Sequence, residues 1–207
     1  YYRHTIPLRF RIIPLIMEQS IFFNLLSSLQ LLLVGYISAV VLGILIGYLV
    51  GINRIVYQFG KWILQVPNTI VPVALLPIAL IIFKEAEAAA IIIVFFSAIW
   101  SIILNTAIGI RHGRKQGRNF RVAIKQIFEG LRFAVWIAWF SAISTEMLTL
   151  NQGLGFIIWN AYKESKVDNI IEGIICIAAI GLLLDQLLDL TGNILSELVS
   201  DGQKKEG

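Results

Sequence analysis

Few side chains in this 207-residue chain could do chemistry, and several stand where an apolar sequence makes them costly. Glu146 lies inside the apolar run Ile127–Leu148. A carboxylate in a membrane span is expensive and faces the bundle interior or water. Two readings follow: a gate or pathway residue, or a carboxylate near the outer interface satisfied by water or neighbouring amides. Asp185 and Asp189 lie four apart near the end of another apolar run and so share one helix face. They suit a structural bridge to Arg132 or to the loop arginines. Arg111, Arg114, Lys115, Arg118, Arg121 and Lys125 form one basic stretch without an acidic residue, the pattern of a cytoplasmic loop between spans. His4 and His112 are far apart in polar segments and make a poor metal pair. The single cysteine, Cys176, excludes a disulfide framework and a cysteine metal site. No nucleophile–base set, phosphate-binding glycine loop or metal-ligand spacing occurs. The expectation is a protein that is not an enzyme and takes neither metal nor cofactor.

The elements that must position these groups are membrane spans. Hydrophobic residues make up 57% of the chain and charged residues only 14%, with mean hydropathy +0.80. A soluble domain of this size needs more charge than that, so the class is an all-α integral membrane protein. The net charge of +4 suits contact with anionic headgroups of the lipid bilayer. No nucleic-acid partner is expected, because the basic residues are not interleaved with exposed aromatics on a polar domain.

Residues 1–24, with Arg3, Arg9, Arg11, Pro7 and Pro14, read as an interfacial arm. A transmembrane domain over 25–195 follows, with spans at about 28–51, 70–83, 89–110, 127–148 and 169–190, each set against a core of ~30 Å. Residues 196–207 read as a polar, disordered tail. Gly35, Ala39, Gly43, Gly47 and Gly51 recur at every fourth position and form a small-residue stripe for close helix packing, within the chain or between subunits. Pro67, Pro72 and Pro77 predict a broken second span, as a pathway lining or a simple kink. Residues 149–168 read as a loop, and Trp62 and Trp159 as interface anchors. Placing Arg111–Lys125 inside puts Arg54, Lys61 and the Lys204–Lys205 tail inside as well, giving N-out/C-in; only Arg3, Arg9 and Arg11 oppose it. The first residue is Tyr, which leaves room for a targeting segment or a span before it.

The runs LQLLLVGYISAVVLGILIGYLVGINR (Leu29–Arg54), Val66–Ile110, Gly130–Tyr162 and Ile177–Asp189 resemble, in order, the permease subunits of binding-protein-dependent ABC importers, in the nitrate/bicarbonate/sulfonate/taurine branch. The polar markers of the resemblance are Pro77, Asn105-Thr106, Gly130-Leu131-Arg132, Glu146-Met147, Gly153-x-Gly155-Phe156, Trp159 and Asp185. The resemblance implies a five-helix permease core of the MetI-like type. It also implies a second permease copy, cytoplasmic ATP-binding subunits that do any ATP hydrolysis, and a soluble anion-binding protein that delivers a small anion. For such an anion the fitting contacts are the neutral donors Asn68, Thr69, Asn105, Thr106, Trp159 and Asn160, with Glu146 as a further pathway candidate. Interhelical hydrogen bonding is the ordinary role of such residues.

One segment departs from the family. Between Ile110 and Gly130 the chain reads RHGRKQGRNFRVAIKQIFE, shorter than the family's coupling loop and without its Glu-Ala-Ala pattern. Arg114, Arg118, Arg121 and Lys125 are the candidates for coupling or partner docking. Phe120, Ile124, Ile127 and Phe128 fall on one helical face, which suits an amphipathic surface helix as well as a coupling helix. Either the chain skips residues of this loop or the coupling device has been lost; the second reading, which follows from the loss, is a degenerate permease homologue, a non-transporting structural subunit of a larger membrane complex. An independent secondary transporter fits poorly, since five spans lack an internal repeat. A bacterial, cyanobacterial-type inner membrane and an organelle (plastid) membrane both fit.

Overall fold

A computed structural model describes residues 19–58, 70–115 and 120–205, which are helical almost throughout. The elements are α1 (Gln19–Ile52), a 3-10 turn (Pro72–Leu75), α2 (Leu76–Phe83), α3 (Ala86–Lys115), α4 (Phe120–Thr149), α5 (Leu154–Lys163) and α6 (Val167–Lys205). Four stretches are long and apolar enough to cross a membrane: Ile21–Ile52, Ala86–Arg114, Phe120–Thr149 and Val167–Val199. In hydrocarbon the backbone must satisfy its own hydrogen bonds, and uninterrupted helix is the local solution for runs so poor in breakers.

The structure corrects the expected second span. Residues 70–83 form the four-residue 3-10 turn followed by the eight-residue α2, together too short for a ~30 Å core. Pro72 and Pro77 each stand at the start of their element, where the missing N–H leaves no partner unpaired, so they begin helices and break none. Pro67 lies outside the described residues. α2 ends at Lys84, whose left-handed backbone (φ 58°) turns its N–H back to the Leu80 carbonyl, and α3 begins at Ala86.

Three further boundaries move. α1 already starts at Gln19, inside the stretch read as an arm, and residues 1–18 lie outside the described set. The supposed loop 149–168 contains α5. The supposed disordered tail continues α6 as far as Lys205, because a helix once formed extends cheaply through residues without proline.

The glycine stripe decides how α1 and α3 lie. A Cβ at Gly35 would meet Val94 at 2.7 Å, at Gly43 Ile102 at 2.8 Å, at Gly47 Thr106 at 2.6 Å, and at Gly51 Ala107 and Ile110 at 3.0 Å. The two backbones therefore touch, as small residues every fourth position permit. The partner numbers rise together, so α1 and α3 run parallel. Parallel neighbours need a return path, and residues 53–85 lead from the end of α1 back to the start of α3.

The other pairs are antiparallel. Gly109 meets Ala123 and Gly130 meets Asn105, while Gly181 meets Trp136 and Trp139 and Gly192 meets Phe128. α6 consequently runs parallel to α1, and its C-terminus leaves at the end opposite to the start of α1. The core lies between α1, α3 and α4, around Leu32, Val94, Ala98, Ile102, Ala134, Ala138 and Ala142. Two long-range hydrogen bonds pin it: the Tyr36 hydroxyl donates to the Leu131 carbonyl at 2.9 Å, and the Trp139 indole N–H to the Ile177 carbonyl at 3.2 Å. Only 6% of the apolar window of α6 is buried, against 56% for α3. Leu182, Leu183, Leu187 and Leu190 on α6 are exposed, an apolar face that suits lipid or another protein chain.

Candidate functional site

Polar side chains collect at the two ends of the bundle. At the end where α1 starts, Glu146 is almost fully buried (1% exposed). Its Oε2 accepts from the Gly155 N–H at 2.9 Å, and the Ser28 hydroxyl also bonds it. Ser28 Oγ in turn accepts from the Leu154 N–H at 2.9 Å, and Asn24 Oδ1 accepts from the Gly153 N–H at 2.7 Å. The first turn of a helix has backbone donors without intrahelical partners. Here three consecutive donors at the start of α5 are met by oxygens from α1 and α4, so α5 is clamped onto the bundle by its own unpaired amides.

The glycines are what allow this approach. Gly153 has φ 105°, which L side chains rarely adopt, and any Cβ there would overlap the Glu146 carboxyl group. A Cβ on Gly155 would collide with the Ile143 carbonyl. Beside the clamp is a cavity of about 50 Å³ lined by Gln30, Glu87, Glu146 and Gln152 among others.

Toward the other end, Asn105 donates to the Ser101 carbonyl at 2.9 Å and accepts from Gln126 Nε2 at 3.1 Å, and Gln126 also reaches Glu129 at 3.4 Å. This chain of side chains ties α3 to α4 where Asn105 lies against Gly130. Arg132 joins α4 to α6 as a two-pronged pair with Asp185, Nε to Oδ1 at 2.8 Å and Nη2 to Oδ2 at 2.7 Å, and its Nη1 bonds Asp189. The fork geometry gives such a pair direction as well as energy.

The residues singled out from sequence do not come together in one site. Glu146 lies roughly 24 Å along α4 from Gly130, the neighbour of Asn105, at ~1.5 Å per residue. Thr106 is buried (1% exposed) against Gly47, and its hydroxyl has no hydrogen-bond partner among the described residues. Trp159 is on α5 at the clamp end, 37% exposed and stacked on Tyr162 with ring centroids 5.3 Å apart. Asn160 sits beside it, half-buried, its carbonyl accepting from the Glu164 N–H at 3.0 Å. Asn68, Thr69 and Arg118 lie outside the described residues.

Arg114 is exposed, and its Nη1 donates to the Ile52 carbonyl at 3.0 Å, closing the end of α1. Arg121 and Lys125 are exposed on the first turns of α4. The stretch 120–128 is thus the beginning of a span and makes no separate surface helix. Among the described residues no three His, Cys, Asp or Glu gather as metal ligands. Asn24 and Ser28 escaped the sequence reading; their i, i+4 spacing at the start of a span was the available signal.

No family model matches the chain. It is similar to the nitrate import permease protein NrtB of Leptolyngbya laminosa, 36% identical over 204 residues that cover 90% of this chain and 72% of the relative. It is also similar to the bicarbonate transport system permease protein CmpB of Synechococcus elongatus, 33% identical over 190 residues, 83% of this chain and 68% of the relative. A more distant likeness is to a putative aliphatic sulfonates transport permease protein, SsuC, of Bacillus subtilis, 26% identical over 203 residues, 90% of this chain and 73% of the relative.

Proposed function

The chain belongs to the permease family of ABC transporters that includes these nitrate and bicarbonate permeases, and on that premise we propose that it is the transmembrane subunit of an ATP-driven importer for a small anion such as nitrate, bicarbonate or a sulfonate. The observation that carries this reading is the 36% identity extending over 90% of the chain, which takes in spans and connections alike. ATP hydrolysis falls to ATP-binding subunits, and a second permease copy and a soluble anion-binding protein complete the assembly. The protein sits in a bacterial, cyanobacterial-type inner membrane or in a plastid membrane.

Residues 53–85 supply a fifth crossing in this reading, supported by the parallel packing of α1 on α3. The orientation is N-out/C-in, supported by Arg54, Arg111, Arg114, Arg121 and Lys125, which all belong to the end where α1 and α3 finish. The clamp of Glu146 on α5 then faces outward. Its carboxylate is already engaged by protein donors and would repel an anion, so its role is to hold α5 in place. Thr106, whose hydroxyl has no partner among the described residues, and Asn105 are the neutral donors within the bundle that an anion pathway would use; Asn68, Thr69, Trp159 and Asn160 are the further candidates, the last two on α5.

A second reading is a non-transporting structural subunit of a larger membrane complex. It is favoured by one feature: α3 runs to Lys115 and α4 starts at Phe120, so only residues 116–119 separate two spans. That leaves little chain for a coupling helix. Purification of the tagged chain in mild detergent separates the two. An ATP-binding subunit recovered in comparable amount supports the importer; its absence, with a stable complex of unrelated membrane proteins, supports the structural subunit.

A further inference from the structure

Where α1 and α3 finish, three arginines, Arg54, Arg111 and Arg114, line one cleft of about 200 Å³ together with Gly51 and Ile52. The close approach of Gly51 to Ala107 and Ile110 is what brings the helix ends near enough for this. Two of the three are held in place by uncharged groups. Arg114 is tied to the Ile52 carbonyl, and Arg111 lies over the Tyr57 ring, 4.4 Å from its centroid. Among the described residues none of the three has a carboxylate within ion-pair distance, although Arg132 and Lys166 each have one. Three positive charges set side by side repel one another, and an anion between them would relieve that repulsion.

The neighbouring surface tells which anion. A second cleft, of about 280 Å³, shares Ile52 and Arg114 with the first and is otherwise lined by Tyr48, Ile110, Gly113, Phe120 and Ala123. Leu45 and Leu49 on α1, and Ile55 and Val56 just after it, are exposed apolar residues. A basic cleft opening directly into an apolar one matches a molecule with a phosphate head and a hydrocarbon tail. We propose that the paired clefts at the ends of α1 and α3 hold an anionic phospholipid, its phosphodiester among Arg54, Arg111 and Arg114 and an acyl chain against Tyr48, Ile52 and Phe120. A lipid bound there bridges the ends of two spans and the start of α4, and it does so whether or not the protein transports.

The test uses the full chain, purified in mild detergent with whatever partners accompany it. It is mixed with equal amounts of phosphatidylglycerol and phosphatidylcholine, and retained lipid is counted by native mass spectrometry. Phosphatidylglycerol should be retained preferentially, and each arginine replaced by Gln should weaken it by about fivefold. Arg54→Gln is the first variant, because Arg54 is exposed and makes no ion pair with other described residues, so the variant should fold. Arg111→Gln follows, and Arg111→Lys should keep most of the retention. Millimolar inorganic phosphate should not displace the lipid. Equal retention of the two lipids, or a preference unchanged in the Arg54→Gln/Arg111→Gln double variant, overturns the proposal. Displacement by inorganic phosphate would assign the cleft to a free anion instead. Retention that appears only after a soluble subunit is stripped away would assign it to that subunit. Either result also overturns the lipid assignment.

Discussion

The two ends of the bundle solve opposite electrostatic problems. At the start of α1, a helix terminus offers unpaired backbone donors, and the chain brings its own acceptors to them: Asn24, Ser28 and Glu146 for Gly153, Leu154 and Gly155. At the far end, Arg54, Arg111 and Arg114 line one cleft, and among the described residues none of them forms an ion pair. The first end is closed and holds the fold together. The second is open, and it is the end a soluble or lipid partner can reach. Between them, the Arg132 pair with Asp185 is intermediate, an ion pair closed within the protein but partly exposed, at 35% and 13% of the two side chains.

If the closed end is structural, its disruption should be felt most in stability. The largest effect is expected for Gly155→Leu, because its Cβ would collide with a backbone carbonyl that cannot move aside. A loss of about 3 kcal/mol, a severe case of overpacking, should abolish recovery of folded protein by size-exclusion chromatography. Glu146→Ala strips the Gly155 amide of its partner in a buried site and should lower stability by about 1–3 kcal/mol, read as the apparent Tm in detergent. Glu146→Gln keeps an acceptor and should recover most of that loss. If Gln is as damaging as Ala, the carboxylate does something beyond accepting hydrogen bonds there.

Smaller changes sharpen the contrast. Asp185→Asn should cost about 1 kcal/mol, a value kept low because the pair is partly in contact with its surroundings. An unchanged apparent Tm and abundance would show that the bridge does not hold α4 to α6. Tyr36→Phe removes one buried hydrogen bond and should cost about 1 kcal/mol. Asp189→Asn, at the 41% exposed member of the network, should change stability least, by under about 0.5 kcal/mol.

Much of the fold was legible because membrane spans follow from composition and length alone. The runs around 28–51, 89–110, 127–148 and 169–190 each fall inside one long helix. Proline was harder to read, because its effect depends on position: Pro72 and Pro77 look like breaks in sequence but begin helices. The parallel packing of α1 on α3 was not legible from the glycine stripe, since spacing shows that a face is smooth and not what lies against it. Of the candidate residues, Glu146 stood out because a carboxylate in an apolar run is conspicuous. Its partners Asn24 and Ser28 did not, because they lie on a helix distant in sequence and gain meaning only when α5 folds back onto it. Arg54 and Arg111 were read as separate topological marks for the same reason: only the close approach at Gly51 puts them in one cleft.

If the chain, basic and short as its α3–α4 connection is, works as the proposed ATP-driven anion permease, transport by the assembled complex should show it. The direct measurement is uptake of labelled nitrate, bicarbonate or an alkyl sulfonate by vesicles holding the complex purified through this chain, with an anion-binding protein supplied outside. Accumulation that requires ATP within the vesicle lumen is the predicted result. Stable, correctly assembled complex that contains ATP-binding subunits but accumulates none of nitrate, bicarbonate and an alkyl sulfonate with ATP would contradict it.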